Sequence, residues 1–459
     1  MQPIEASPAA LRQLAFRWPD RYPVLYDSAI ADQGDPWTVV TALPAGHLAL
    51  GRDGRLVTSE SDLSALGAFL PALERWWQRD ATPVPELAAM PWRGGFSVFL
   101  GYELGAEIEP RLQSMPRSSE PWLAWAIRVQ AAVVHQHRTG RSWLLTEPSA
   151  RHSRREALQQ LESDLQAAAM PITLECASGA ALTATILAED APELYLRQVE
   201  AAREYIRAGE IYQINLSRAW RGEREPGTDL AALYQQLRSV NPAPFAAFAQ
   251  WRGQCLLSAS PERLVHVDRG RINTRPIAGT RPRSGHAVRH HHETGALLAS
   301  AKERAEHVMM IDLERNDLGR LCLAGTVSVD EFMALESYPH VHHIVSSISG
   351  ALRPAVTPID VIRAVFPGGT ITGCPKIRCM ELIASIENEG RGAYTGSLGT
   401  IGLDGRLDLN ILIRTLVATD SSLQLRTGAG IVADSVAELE LEETRAKARG
   451  VLDALRAAS

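Results

Sequence analysis

GAGIVADSVAELELEETRAK, residues 428–447, is the stretch on which the reading of the chain turns. Ser435 and Glu438 have the S-x-x-E spacing of a capping box, which predicts a helix beginning there, just after a short Gly-rich turn over Gly428, Ala429 and Gly430. On that helix Glu440, Glu443, Thr444 and Lys447 recur at offsets of three, four and seven. Two carboxylates and an ammonium therefore share one face. Such a face either holds a cation or is a solvated surface laced with ordinary pairs such as Glu443 and Lys447.

Working outward, KERAEHVMMIDLERNDLGR (302–320) carries a second acid pair with the same spacing, Glu303 and Glu306, on a helix expected over about 294–318 and closed by Gly319. Two such helices facing each other would present four carboxylates. That donor set suits a hard cation which takes oxygen ligands and keeps waters, magnesium rather than zinc. The alternative is a second charged helix face.

The remaining elements fall into place around these. A helix is expected over about 192–208 with Gly209 as its cap, followed by strands over about 211–220, 241–257 and 263–277. A further helix starts at Pro375 after the glycine-rich FPGGTITG, and strands turning at Asp404-Gly405 and near 420–422 lead into the opening stretch. Before residue 145 the chain reads as short strands and turns, with one helix over about 63–77 and a Gly-rich segment at 94–105. A boundary at about 170–190 separates an N-terminal region of mixed strands and helices (1–170) from a second region (190–459). Long antiparallel strands with separate helices point to an α+β fold.

Composition excludes several classes. A chain of 459 residues that is 45% hydrophobic can bury a sizeable core. A formal net charge of -6 without a long basic run gives no footprint for nucleic acid, and no stretch approaches the roughly twenty apolar residues of a membrane span. Five scattered cysteines without C-x-x-C spacing argue against a disulfide framework or a zinc site. Reduced thiols, no signal pattern and a cytoplasmic location are the expectation.

Several segments invite chemistry without deciding it. FPGGTITGCPK (366–376) lacks the lysine and hydroxyl residue that a P-loop requires after its last glycine, which leaves a loop that lets backbone approach a ligand or a tight entry into a helix. Thr427 to Gly430 offers amides for a carboxylate, or merely a chain reversal. His343 opens a β-branched segment and could face a pocket or the core, whereas His290 to His292 read as solvated surface. Arg414, in LDLNILIRTLV, is either an inward cation for a carboxylate or an edge arginine. Glu262, in SASPERL, and Gln213, in IYQINLS, are unremarkable alone.

Taken together, SASPE, RPIAGTRPR, KERAEH, DLERNDLGR, HHIVSS, PGGTITGCPK, YTGSLG, IRT and GAGIVADS resemble, in order over roughly 190–450, the chorismate-utilising family of anthranilate, aminodeoxychorismate, isochorismate and salicylate synthases. The resemblance implies two large, mostly antiparallel sheets packed as a sandwich with helices outside, and a magnesium ion with chorismate as substrate. By motif, Glu306 and Glu443 match the direct magnesium ligands, with Glu303 and Glu440 supporting them through water. Arg414, Tyr394 and the Gly428, Ala429 and Gly430 amides match the site for the enolpyruvyl carboxylate, with Lys447 as a further cation and Ala278 and Thr280 beside the substrate. Glu262 matches the acid that protonates the departing C4 hydroxyl, and His343 the active-site histidine beside the leaving group or ring. The segment RYPVLYDSA (21–29) weakly resembles one that forms a tryptophan pocket in anthranilate synthases; a structural strand is the simpler reading.

The resemblance also bears on the nucleophile. Water-using members place a lysine at the position of Gln213, and a neutral amide cannot act as a base. That favours ammonia, supplied by a separate glutamine amidotransferase subunit. VHHIVS, FPGGTITG and DLERND resemble the branch that aminates C4. Ala278 in PIAGT, where many of that branch carry a nucleophilic lysine, resembles the branch that makes anthranilate. The expectation is C4 amination without an enzyme-linked intermediate, with anthranilate formation as the alternative and an inactive regulatory module as a third reading.

Overall fold

The computed structural model describes residues 1–28, 30, 36–153, 155–169, 187–282, 301–337 and 341–457, with the backbone alone at 151–153, 278–282, 301–303, 305–306, 337, 341–343 and 457. Its spine is a pair of long strands, Trp37–Gly51 and Trp122–Gln136, that run antiparallel along nearly their whole length. A register shift between Pro44 and Gly46, beside Leu43 at φ 54°, breaks the ladder midway. Each half of the spine then anchors its own sheet.

Along the first sheet follow Val24–Asp27, Phe245–Trp251, Gln254–Ser260, Thr415–Thr419, Ser422–Ile431 and Gln213–Glu223. Along the second follow Gly95–Leu100, Ser397–Ile401, Leu407–Asn410, Arg263–Asp268, Arg271–Thr274, Val341–Ala351 and Ser328–Ser337. Every strand pairing named here is antiparallel. Strands from before residue 170 and after residue 190 pair directly, Val24–Asp27 with Phe245–Trp251 and Gly95–Leu100 with Ser397–Ile401. The expected division at about 170–190 falls largely on 170–186, outside the described residues.

The two sheets face each other across a core that includes Val39, Phe99, Trp125, Val134, Ala247 and Leu398, contributed by both. Apolar side chains on their outer faces are covered by helices: Pro8–Arg17, Leu230–Val240 and Ala437–Ala457 on the first, Phe69–Asp80, Pro358–Val365 and Ala301–Gly319 on the second. The sandwich with outer helices is thus the fold, as the resemblance implied.

The chain passes from the first sheet to the second at Pro261 and Glu262, and back again over 411–414. The two crossings are laced together. Ile411 N–H donates to Glu262 O at 3.0 Å and Ser260 Oγ donates to Ile411 O at 2.5 Å.

Several local expectations change. The segments 241–257 and 263–277, expected as strands, fold as hairpins of Phe245–Trp251 with Gln254–Ser260 and of Arg263–Asp268 with Arg271–Thr274, and the helix expected over 63–77 runs Phe69–Asp80. Gly428, Ala429 and Gly430 form no turn; they close the strand Ser422–Ile431, opposite Ser217, Leu216 and Asn215. The helix starts at Ala437, and Ser435 Oγ accepts the Val432 N–H at 3.0 Å, so that serine orders the turn before the helix rather than forming a box with Glu438. Arg414 lies outside any strand, at φ 51° in the crossing, because the alternation in LDLNILIRTLV spans two strands of different sheets.

Candidate active site

The crossings fix Glu262. Its side chain is 6% exposed, and Thr370 Oγ1 donates to its Oε1 at 2.9 Å. Burial pushes its carboxyl up to about 7, against the Thr370 hydrogen bond, the Ile277 backbone and the positive charges of Lys447 and Arg414. Lys447 and Arg414, sequence candidates far apart in the chain, therefore both act electrostatically on Glu262.

Thr370 was not among the candidates. It sits in the short turn Gly369–Ile371, where the glycines permit close packing: a Cβ on Gly369 would lie 2.4 Å from Leu313, and one on Gly373, at φ 134°, 2.2 Å from Gln213 O. FPGGTITGCPK is thus a packing loop that presents a threonine to Glu262 and leads into the helix Lys376–Glu387.

Gln213 begins the strand Gln213–Glu223, 9% exposed, and its Oε1 has no hydrogen-bond partner among the described residues. A Cβ on Gly430 would approach its Nε2 to 2.7 Å, and one on Gly428 would come within 2.6 Å of Tyr394 Oη and 2.8 Å of Asn215 Oδ1. Bare backbone at 428 and 430 therefore makes room for Gln213, Asn215 and Tyr394 together. Asn215 was also missed; its place two residues after Gln213 on the same strand face was the available signal.

Tyr394 is 8% exposed and its Oη lies 3.5 Å from Asn215 Oδ1. Burial raises its phenol to about 12, leaving a neutral hydroxyl. The turn before it is held by N-terminal residues: Glu103 Oε1 accepts the Arg391 and Gly392 N–H groups at 2.6 and 3.0 Å, and Glu120 Oε1 accepts that of Ala393 at 2.9 Å. Arg391 in turn bonds Glu387 and lies 5.6 Å from the Tyr394 ring.

On the C-terminal helix Lys447 Nζ donates to Gly428 O at 2.9 Å and pairs with Glu443 at 2.7 Å, while Thr427 Oγ1 donates to Thr444 O at 2.9 Å. The predicted face thus packs against the glycine strand, with Glu440 half-buried one turn before Glu443. The carboxylate oxygens of Glu440 and Glu443 are the right donors for a hard cation. The other acid pair lies on Ala301–Gly319, and the side chains of Glu303 and Glu306 are outside the described residues.

The same holds for the side chains of His343, Ala278 and Thr280. Their backbones pair, Thr280 opposite His343 and Ala278 opposite Ile344, and His343 lies opposite Glu336 on its other side. His290 to His292 and His340 fall outside the described residues altogether. From RYPVLYDSA, Tyr26, Asp27 and Ser28 line a cavity of about 720 Å³ between the sheets, together with Trp92, Phe245 and Arg263. Among the described residues no helix is long and apolar enough to cross a membrane.

A model of the chorismate binding enzyme family matches residues 30–453, most of the chain and well beyond the 190–450 span of the motifs. The chain belongs to this family of chorismate binding enzymes. An anthranilate synthase component I-like protein of Synechocystis sp. is 39% identical over 370 residues, covering 80% of this chain and 73% of its own. Aminodeoxychorismate synthase component 1 of Bacillus subtilis is 36% identical over 410 residues, covering 88% and 86%. The crystal structure of anthranilate synthase component I from Streptococcus pneumoniae TIGR4 superimposes with a TM-score of 0.78 at 27% identity, covering 92% of this chain and 93% of that one. Relatives of this chorismate binding enzyme carry both names, anthranilate synthase the more often.

Proposed function

We propose that this chorismate-utilising enzyme aminates chorismate at C4 with ammonia from a glutamine amidotransferase partner, giving 4-amino-4-deoxychorismate for 4-aminobenzoate and folate synthesis in the cytoplasm. The observation that carries an attack with loss of the C4 hydroxyl is Glu262: a buried carboxyl, hydrogen-bonded by Thr370, that keeps its proton to about pH 7. The ammonia lone pair forms the new C–N bond, the C4–O bond breaks, and the departing oxygen takes the Glu262 proton to leave as water; the ammonium nitrogen then loses a proton. Arg414, Tyr394, Lys447 and the Gly428–Gly430 backbone would hold the enolpyruvyl carboxylate, Ala278 and Thr280 would border the substrate, and His343 would flank the leaving group or ring.

Magnesium, when bound, would neutralise the ring carboxylate and fix the ring. Glu306 and Glu443 would hold it directly, with Glu303 and Glu440 behind them. Gln213, whose buried amide oxygen has no hydrogen-bond partner among the described residues, suits a neutral nucleophile better than one needing a base.

Amination at C4 is supported by VHHIVS, FPGGTITG and DLERND. Amination at C2 to give anthranilate and pyruvate is the second reading, favoured by Ala278 and by the greater number of relatives named anthranilate synthase. The purified chain, given chorismate, magnesium and ammonium, is expected to yield a product with the mass of aminodeoxychorismate. Fluorescent anthranilate, released with pyruvate and without an added lyase, would establish the second reading instead.

A further inference from the structure

One buried carboxyl near the site has no task in the reaction as described. Glu314 lies on the helix Ala301–Gly319, which packs against the Gly369–Ile371 turn that carries Thr370. Its Oε2 is buried and makes no close hydrogen bond among the described residues; the Thr274 hydroxyl lies beside it, itself buried without a close partner there, and opposes the rise of the Glu314 carboxyl. The charged groups that face Glu314 come from three directions: Glu262 from the sheet crossing, Asp317 from its own helix, and Lys376 from the start of the helix Lys376–Glu387. Lys376 and Asp317 are already joined at 2.5 Å, so this cation is largely matched by its own partner. Glu262 in turn faces Lys447, Arg414 and Thr370. The result is a pair of buried carboxyls, Glu262 and Glu314, each able to sense the charge of the other.

We propose that Glu314 is a positioning residue for the proton of Glu262: a second buried carboxyl that shares a proton with it and returns one after each transfer to the leaving group. The inference rests on Glu262 as the acid of the reaction. When Glu262 gives its proton to the departing oxygen, it becomes a carboxylate in a dry site, the least favourable state for that group. A protonated Glu314 within electrostatic range relieves this by handing its proton over, directly or through a water, and takes a replacement from solvent later. Proton count is conserved, since one proton leaves with the water formed and one enters from the medium. Burial and the neighbouring acids push Glu314 up to about 8 and burial pushes Glu262 up to about 7, so around neutrality the two together hold on to at least one proton.

The test is the pH profile of chorismate amination with ammonium and magnesium, measured for the wild type, Glu262→Gln, Glu314→Gln and Glu314→Asp. Glu314→Gln is expected to move the basic limb of kcat/KM down by about one pH unit, a roughly tenfold loss at pH 8 with a much smaller loss at pH 6. Glu314→Asp, which restores a carboxyl, is expected to bring the limb back toward the wild type. A Glu314→Gln profile that is lowered equally at every pH, or not moved, overturns the proposal while leaving Glu262 as the acid. A Glu262→Gln enzyme that keeps wild-type activity removes Glu262 from the reaction and the proposal with it. A second measurement does not depend on a folded Glu314 variant: infrared titration of the protonated-carboxyl bands in wild type and Glu262→Gln. Removing the Glu262 charge is expected to shift the midpoint of a second carboxyl downward; bands that differ only by the loss of Glu262 itself overturn the coupling.

Discussion

Thr370 Oγ1 donates a 2.9 Å hydrogen bond to Glu262 Oε1, joining the glycine-rich loop to the point where the chain crosses between its two sheets. A hydrogen bond from a hydroxyl favours the ionised carboxyl and also aims it. Thr370→Val is expected to lower kcat/KM by about tenfold, the loss of roughly one charge-assisted hydrogen bond, and to move the basic limb of the profile upward because the carboxyl keeps its proton longer. Rates measured from pH 6 to 9 check both signs.

With Glu262 raised to about 7, activity that needs its proton should decline tenfold per pH unit above that value. Glu262→Gln is expected to lower kcat by about a hundredfold or more while chorismate binding, followed by equilibrium titration, changes little.

The two site glycines should behave differently when given a methyl group. At Gly430 the added Cβ would meet the amide end of Gln213 at 2.7 Å, a flexible group that can move, so Gly430→Ala is expected to fold normally but lose about tenfold or more in kcat/KM. At Gly428 it would meet the Leu216 carbonyl at 2.5 Å, within a paired strand, so Gly428→Ala is expected to lower stability by about 1–3 kcal/mol as well. Urea unfolding separates the two.

Glu387 is buried between Arg391 and Arg426, at 2.6 and 3.3 Å. Burial works against its ionisation, but the Arg391 charge and hydrogen bond beside it, with Arg426, hold its carboxyl below the usual range. A depressed carboxyl contributes stability above its unfolded value near 4.5, and that contribution is lost as pH falls through the folded value. Glu387→Ala leaves buried Arg391 without its carboxylate and Arg426 with Glu389 alone, and is expected to destabilise the protein by about 3–5 kcal/mol, read from denaturation midpoints at pH 7.

Glu120 runs the opposite way. Burial raises it from 4.5 to about 8, with the charge of Glu103 adding to the rise. The folded state therefore holds a proton that the unfolded chain has released, and stability declines as pH rises between those values. The Tyr394 turn, which Glu120 supports through Ala393 N–H, should loosen on the alkaline side. A melting temperature that is unchanged or higher at pH 9 than at pH 6 would contradict this.

The sequence by itself determined the class of the fold, several of its helices, and the motifs that mark a chorismate binding enzyme, because periodicity, caps and turn residues are local. Gly209 ends its helix with φ 76° and Gly405 turns its hairpin with φ 85°. What only the tertiary structure decided is the company each residue keeps. The alternation around Arg414 looked like one strand because the chain crosses sheets without changing composition, and the glycines before the last helix looked like a turn because nothing local reveals that Gln213, Asn215 and Tyr394 need the space above them. Thr370 and Glu314 carried no signal of their own: a threonine in a loop and a glutamate on a charged helix are common. Their meaning comes from burial beside Glu262, and burial is set by segments far away in the chain.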